Sequence, residues 1–377
     1  MENIKMIAPC LFGVESIAAD EFRRMGFESV TAENGRVLLE GDSNMLARAN
    51  INSRFAERIL INMGQFHATT FTELFDGVKS LPWERFIGKK DAFPVSNGSS
   101  ISSALYSIPD CQSIIKKAVV DRLSAKYGIK WFEETGSEYK IRFTILKDEV
   151  TVTIDTSGEG LHKRGYRRNS NDAPLKETLG AAMCDLARIF PDTHIYDPFC
   201  GSGTLLIESA LMATKTAPGL RRFFAAERFD SIPKTAWQQE RMRAQDLIIK
   251  NVDFKAQGYD IDPNCVELTL ANAKKAGVEK YVKAAVGDIR DFKTPDERLL
   301  VITNPPYGER LLDVAEAEKL YRIMGERFEK TQGKKYFVIS PHDEFEKHFG
   351  AVADKRRKLY NGMIKCQLFM YFKNKGI

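Results

Sequence analysis

A chain of 377 residues is long enough for two or three domains, and 43% hydrophobic with 28% charged residues is an ordinary globular composition, which excludes collagenous, disordered and low-complexity readings. The net charge of +5 points weakly to a polyanionic partner and is uneven: residues 1–165 hold 21 Lys/Arg against 22 Asp/Glu, so the excess lies in the remainder. Six widely spaced cysteines, Cys10, Cys111, Cys184, Cys200, Cys265 and Cys366, suggest neither zinc nor disulfides.

No apolar run reaches the roughly 18 residues of a membrane span. Residues 1–5 lead straight into strand-like sequence without a signal-peptide core, so the protein is expected in the cytoplasm. No membrane and no obligate protein partner are evident, and no metal is expected; the five histidines form no cluster in the sequence.

In chain order, residues 5–8 form a short apolar strand. Val14, Ile17, Ala18, Phe22 and Met25 then recur on one face of a helix that Gly26 closes. Strands at 36–40 and 58–66 flank a short helix over about 44–52. This is a small α+β unit without visible chemistry. An apolar helix over 112–127 precedes a hairpin: Ile141, Phe143 and Ile145 alternate, Lys147, Asp148 and Glu149 turn, and Val150, Val152 and Ile154 alternate back. Residues 157–168, with three glycines and five Lys, Arg or His residues, break the periodicity and mark a boundary.

Strict α/β alternation follows. Strands are expected at 195–197, 254–260, 281–286, 299–303 and 336–340, and helices at 204–212, 264–276 and 316–331. Such alternation predicts a parallel sheet covered on both faces. Strand-like residues 355–360 and 363–372 flank Asn361-Gly362, a strong hairpin signal. The fold class is therefore α/β: a Rossmann-like, doubly wound sheet with a C-terminal antiparallel hairpin, the pattern of class I methyltransferases.

Four groups fall at the carboxyl ends of strands, where open α/β sheets bind ligands. In the first, Asp197-Pro198-Phe199-Cys200-Gly201-Ser202-Gly203-Thr204, glycines would let backbone amides approach a ligand; a tight turn without one reads equally well. Position 206 is Leu where a dinucleotide fingerprint would place a third glycine, and no Gly-Lys-Ser/Thr makes a P-loop. Asp260 and Asp288 end the next two strands. Each could cap a helix, or accept ribose hydroxyls and an adenine amine. The fourth group is Thr303-Asn304-Pro305-Pro306-Tyr307-Gly308, a turn in which two prolines would aim the Asn304 side chain and the Pro305 carbonyl at a planar amine while Tyr307 stacks on the base. Basic and aromatic residues interleave over 217–224, with Trp237, Arg241 and Arg243 following; this suits unpaired RNA, or a solvated helix with core aromatics.

Together, Asp-Pro-Phe-Cys-Gly-Ser-Gly-Thr and Asn-Pro-Pro-Tyr-Gly resemble S-adenosylmethionine-dependent methyltransferases acting on exocyclic amines of nucleobases. The likeness extends along the chain. Residues 1–65 resemble a ferredoxin-like domain, and 66–156, with Pro109-Asp110-Cys111-Gln112-Ser113-Ile114, a THUMP domain. The linker 157–172, with Leu161-His162-Lys163-Arg164-Gly165-Tyr166-Arg167, and the methyltransferase domain 173–377, opening on Ala173-Pro174-Leu175-Lys176-Glu177-Thr178, resemble bacterial large-subunit rRNA guanine-N2 methyltransferases of the RlmL type. Long members of that type carry a second methyltransferase domain; this chain stops at Ile377, so the guanine-N2 activity alone is implied.

The resemblance implies S-adenosylmethionine as cofactor, bound by Asp197, Phe199, Gly201, Gly203, Thr204, Asp260, Ile261, Asp288 and Asn304. Asn304, Pro305, Pro306 and Tyr307 become the catalytic residues. Lys163, Arg164, Arg167, Arg168, Arg221 and Arg222 are the expected RNA contacts, with 23S rRNA favoured over tRNA. Two rivals remain: adenine-N6 methylation of DNA, which the same Asn-Pro-Pro-Tyr would suit, and a noncatalytic RNA-binding assembly factor.

Overall fold

The computed structural model describes residues 3–167, 175–294, 299–307 and 313–373. Arg168, Gly308 and the Ala173-Pro174 pair lie outside the described residues. The chain forms two compact units: Met1–Pro9, Ala19–Leu161 and Arg222–Arg243 in the first, Cys10–Ala18, His162–Arg221 and Ala244–Ile377 in the second. No helix among the described residues is long and apolar enough to cross a membrane.

The first unit is built on one seven-stranded sheet. Its strands are β1 (Ile4–Pro9), β2 (Ser29–Glu33), β3 (Arg36–Gly41), β4 (Leu60–His67), β5 (Ser99–Ile101), β6 (Ile141–Leu146) and β7 (Glu149–Asp155), in spatial order β2-β3-β1-β4-β7-β6-β5. β4 pairs antiparallel with both β1 and β7, so the ferredoxin-like and THUMP-like stretches share a continuous sheet. The expected alternation in β6 holds, with Ile141, Phe143 and Ile145 buried. The turn is shorter than expected: Leu146 pairs with Glu149, leaving Lys147 and Asp148, both at positive φ, as a two-residue loop.

Residues 222–243 pack into this first unit. Phe224 stacks on Trp237 with ring centroids 5.4 Å apart, and both are buried. Arg48 forks onto the buried Glu240 carboxylate at 2.7 and 2.8 Å. Phe224 and Trp237 are core residues, as the second reading of that stretch had it, while Phe223 is exposed.

The second unit holds β8 (His194–Asp197), β9 (Lys255–Asp260), β10 (Val282–Val286), β11 (Leu299–Thr303), β12 (Lys334–Ser340), β13 (Lys355–Asn361) and β14 (Ile364–Tyr371), in the order β10-β9-β8-β11-β12-β14-β13. β8 to β12 are parallel, and β14 runs antiparallel between β12 and β13. All five residues of β11 are buried. Leu299 and Val301 join a core with Tyr321, Met324, Phe345 and Phe369, so their neighbours Leu300 and Ile302 must be covered from the opposite face. The order reverses between β8 and β11, which opens a crevice at their carboxyl ends.

Candidate active site

β8 ends at Asp197, and the chain turns through Pro198 to Gly203 into the helix Thr204–Ala213. Gly203 has φ +81°, and a Cβ there would come within 2.8 Å of Thr269 Cγ2; glycine is required for conformation and for space. The helix Pro263–Ala276 braces the turn: Thr269 Oγ1 donates to the Gly201 carbonyl at 2.8 Å and Asn272 Nδ2 to that of Ser202 at 3.0 Å. Gly201 N–H, offered to a ligand on sequence grounds, donates to Asp260 Oδ2 at 2.9 Å.

Asp197 is fully buried. Its Oδ1 accepts from the Thr303 hydroxyl at 2.7 Å and from Phe199 N–H at 3.1 Å. Burial outweighs these bonds and pushes its carboxyl up to about 7. At the end of β10, Asp288 caps the turn Ile289–Asp291 and is gripped by the Arg290 guanidinium at 3.0 and 2.5 Å, which holds its carboxyl below the ordinary range.

A cavity of about 590 Å³ opens over these strand ends. Of the sequence-predicted residues, Asp197, Phe199, Gly201, Thr204, Asp260, Ile261, Asp288, Asn304 and Pro306 border it. Gly203, Pro305 and Tyr307 do not line it. Asn304 Oδ1 is buried at the wall and has no hydrogen-bond partner among the described residues. Tyr307 turns toward the C-terminal hairpin, where its hydroxyl accepts from Asn361 Nδ2 at 2.8 Å.

Sequence reasoning missed one wall. The helix Val314–Arg327 contributes Glu316, Lys319, Leu320 and Ile323 to the cavity. Their spacing of three, four and seven is the signal that would have found them. Leu175 and Arg290 were also missed.

The expected RNA contacts need correction. Arg164 is buried, its side chain 2% exposed, with Nε 3.4 Å from Glu208 Oε1, so its charge is spent inside the fold. Arg167 donates to the Leu175 carbonyl at 3.0 Å and to Thr204 Oγ1, and thus braces the cavity wall. Arg222 donates to the Glu159 and Gly160 carbonyls at 2.7 and 2.9 Å. Arg221 is exposed and donates to the Lys275 carbonyl at 3.2 Å; Lys163 is exposed.

The fold also gathers two histidines that sequence keeps apart. His342 Nε2 and His348 Nε2 lie 3.5 and 3.4 Å from Glu318 Oε1. A metal-bound histidine donates its second N–H outward. Here each Nδ1 faces a donor instead, Glu344 N–H at 3.2 Å and the Arg322 guanidinium at 3.2 Å. Each Nε2 is thus left facing the Glu318 carboxylate, although the His348 Nε2 approach lacks hydrogen-bond geometry.

Residues 164–369 match the model of the RMKL-like methyltransferase domain. The chain belongs to this methyltransferase family. Residues 5–60 match the RlmL ferredoxin-like domain and 68–155 the THUMP domain. The methyltransferase is 40% identical over 374 residues to YpsC of Bacillus subtilis (strain 168), across 99% of this chain and 97% of that one. It is 31% identical over 397 residues to the ribosomal RNA large subunit methyltransferase K/L of Cellvibrio japonicus (strain Ueda107), across 98% of this chain but 51% of that one, so it spans about half the length of that relative. The solved structure of SMU.472 in complex with SAH superposes with a TM-score of 0.94 at 38% identity, covering all of both chains. The second unit is thus a class I methyltransferase fold, and its methyl donor is S-adenosylmethionine.

The residues present fit that cofactor. Asp260 retains lone pairs beyond those given to the Gly201 and Asp262 N–H groups, enough for a ribose. Asp288, kept anionic by Arg290, offers an acceptor for an adenine amine. Ile261 and Ile289 add apolar wall between them.

Proposed function

We propose that this methyltransferase acts on RNA, placing a methyl group on the exocyclic N2 of a guanine, with 23S rRNA as the favoured substrate and the cytoplasm as its place of action. The observation that carries the reading is the Asn304 side-chain oxygen, buried at the cavity wall with no hydrogen-bond partner among the described residues and followed by Pro305-Pro306-Tyr307. A buried acceptor left unpaired is costly, and an amine N–H of the target base would satisfy it. The THUMP match and the large-subunit name of the K/L relative support RNA as the substrate.

Bound S-adenosylmethionine supplies an electrophilic methyl group carried on sulfur. The chain's task is to aim the amine. A guanine N2 lone pair is delocalised into the ring; acceptors gripping its hydrogens, Asn304 Oδ1 first and the Pro305 carbonyl second, turn the lone pair out of the plane. Fixing the amine in a near-attack geometry is worth several powers of ten in rate. Asn304 is carried directly by Thr303, the last residue of a fully buried strand, so little reorganisation is needed on binding. The target nucleotide must leave its stack to reach the cleft, and the proton released from the methylated amine passes to water.

The test offers purified enzyme and labelled S-adenosylmethionine to protein-free rRNA, intact large subunits, total tRNA and DNA in parallel, followed by mass spectrometry of nucleosides. N2-methylguanosine in rRNA is the expected product. Label in tRNA alone would overturn the rRNA assignment, and N6-methyladenine would overturn the base.

A further inference from the structure

The Asn-Pro-Pro-Tyr motif splits between two environments. Asn304 and Pro306 border the cofactor cavity, while Tyr307 is held at the β13–β14 hairpin. Its hydroxyl oxygen accepts twice, from Asn361 Nδ2 at 2.8 Å and from the Cys366 thiol at 3.8 Å. Burial pushes the Tyr307 phenol up, so it stays protonated at any ordinary pH.

Asn361 owes its position to the hairpin register. It is the last residue of β13 and pairs with Ile364, so the loop is Gly362-Met363, one residue later than the sequence signal suggested. Gly362 takes φ +63° to close that loop. Leu359 pairs with Cys366. Positions 359 and 361 of β13 therefore share a face with 364 and 366 of β14. Asn361 and Cys366 accordingly reach the same phenol oxygen from two strands, and both lie about 55 to 60 residues from Tyr307 in the chain.

We infer that Asn361 is a positioning residue for methyl transfer: through its hydrogen bond it anchors the hydroxyl end of Tyr307, the ring proposed to stack on the target base. The tyrosine hydroxyl lies on the χ2 axis, so a tether there restrains the swing of the ring about χ1 and leaves rotation about χ2 to the packing around the ring. The inference rests on the base-positioning role proposed for Tyr307. Asn361 does not line the cofactor cavity. Its route to the reaction is the bond to the Tyr307 hydroxyl, and that makes it separable from a general contribution to folding.

The test is a double-mutant cycle on protein-free rRNA with labelled S-adenosylmethionine. Asn361→Ala is expected to lower kcat/KM for RNA roughly five- to tenfold, the effect of one lost hydrogen bond, with unchanged affinity for S-adenosylhomocysteine. Tyr307→Phe is expected to have a similar effect. In the Tyr307→Phe background, Asn361→Ala should have no further effect, because the bond is already gone. Asn361→Ser, which keeps a donor, should recover part of the loss at unchanged Tm. A multiplicative double mutant, or wild-type kcat/KM in Asn361→Ala, overturns the inference. If the wild-type enzyme labels no RNA at all, the RNA reading fails and this inference falls with it.

Discussion

The Thr303 hydroxyl donates to Asp197 Oδ1 at 2.7 Å, across 106 residues of chain. This bond joins the end of β8, where the cofactor turn begins, to the end of β11, one residue before Asn304. The two proposed halves of the site, one for the methyl donor and one for the target amine, are thereby fixed to each other through one buried carboxyl group.

That carboxyl makes stability depend on pH in an unusual direction. With Asp197 pushed up to about 7 in the folded chain, the native state holds a proton that the unfolded chain gives up near the ordinary carboxylate value of 3.8. The contribution is fully present below about pH 4, declines as pH rises, and is lost above about pH 7. Asp197→Asn mimics the protonated acid and lacks this dependence. The Tm of the variant minus that of the wild type is expected to rise between pH 4 and 7 and then level off. A difference that is flat across this window would show that Asp197 ionises normally.

Asn304→Ala should abolish turnover while leaving S-adenosylhomocysteine binding within about twofold. The residue is assigned to the amine in the transition state, and losses of that kind appear in kcat. Calorimetry and single-turnover labelling separate the two effects. Retention of wild-type kcat would remove Asn304 from the reaction.

Alternation made the second unit legible: strand ends at Asp197, Asp260 and Thr303 agree with the structure to the residue, because each strand gives way there to a turn sequence, Asp197-Pro198, Asp262-Pro263 and Asn304-Pro305. The helices Phe71–Ser80 and Glu177–Ala187 and the strand Ser29–Glu33 were not anticipated. Glu177–Ala187 is buried on nearly every side, which erases the amphipathic period. β2 is an edge strand with no fully buried position and so lacks an inside-outside alternation. Most of the cavity residues found from sequence lie at the glycine turn or at an acidic strand end. Those on the helix Val314–Arg327 were not, because a ligand-facing helix stripe looks like a core-facing one until the tertiary fold distinguishes them. Arginines misled for a related reason: a basic run such as Lys163-Arg164 looks solvated, and only the fold shows that Glu208 waits for one of its members.

Arg164 is accordingly a stability residue. Its guanidinium and the Glu208 carboxylate, 2% and 0% exposed, share a buried site with the Tyr166 hydroxyl, which donates to Glu208 Oε1 at 3.0 Å. Removing one partner strands the other charge in the core. Arg164→Ala should cost about 3–5 kcal/mol in chemical denaturation, and Arg164→Met combined with Glu208→Leu should recover most of it. The salt slope of RNA binding should not change in the double variant, since Arg164 cannot reach a phosphate. A reduced slope at wild-type stability would return it to the RNA surface.

Asp260 presents a case where two roles must be told apart. Its carboxylate holds the Gly201 and Asp262 N–H groups at 2.9 and 3.0 Å, and it is also the proposed ribose acceptor. Asp260→Ala should weaken S-adenosylhomocysteine by about 1–3 kcal/mol, the range for hydrogen bonds to a charged acceptor. Affinity loss alone could come from a loosened glycine turn. The discriminating ligand is the 2′-deoxyribose analogue of S-adenosylhomocysteine, which lacks one hydroxyl. If Asp260 grips the ribose, the wild-type enzyme prefers the parent compound, and Asp260→Ala loses that preference while binding both weakly. If Asp260 only shapes the turn, the variant weakens both ligands by the same factor and the preference survives intact. Calorimetry of the two ligands against the two proteins decides between a ribose contact and a structural brace.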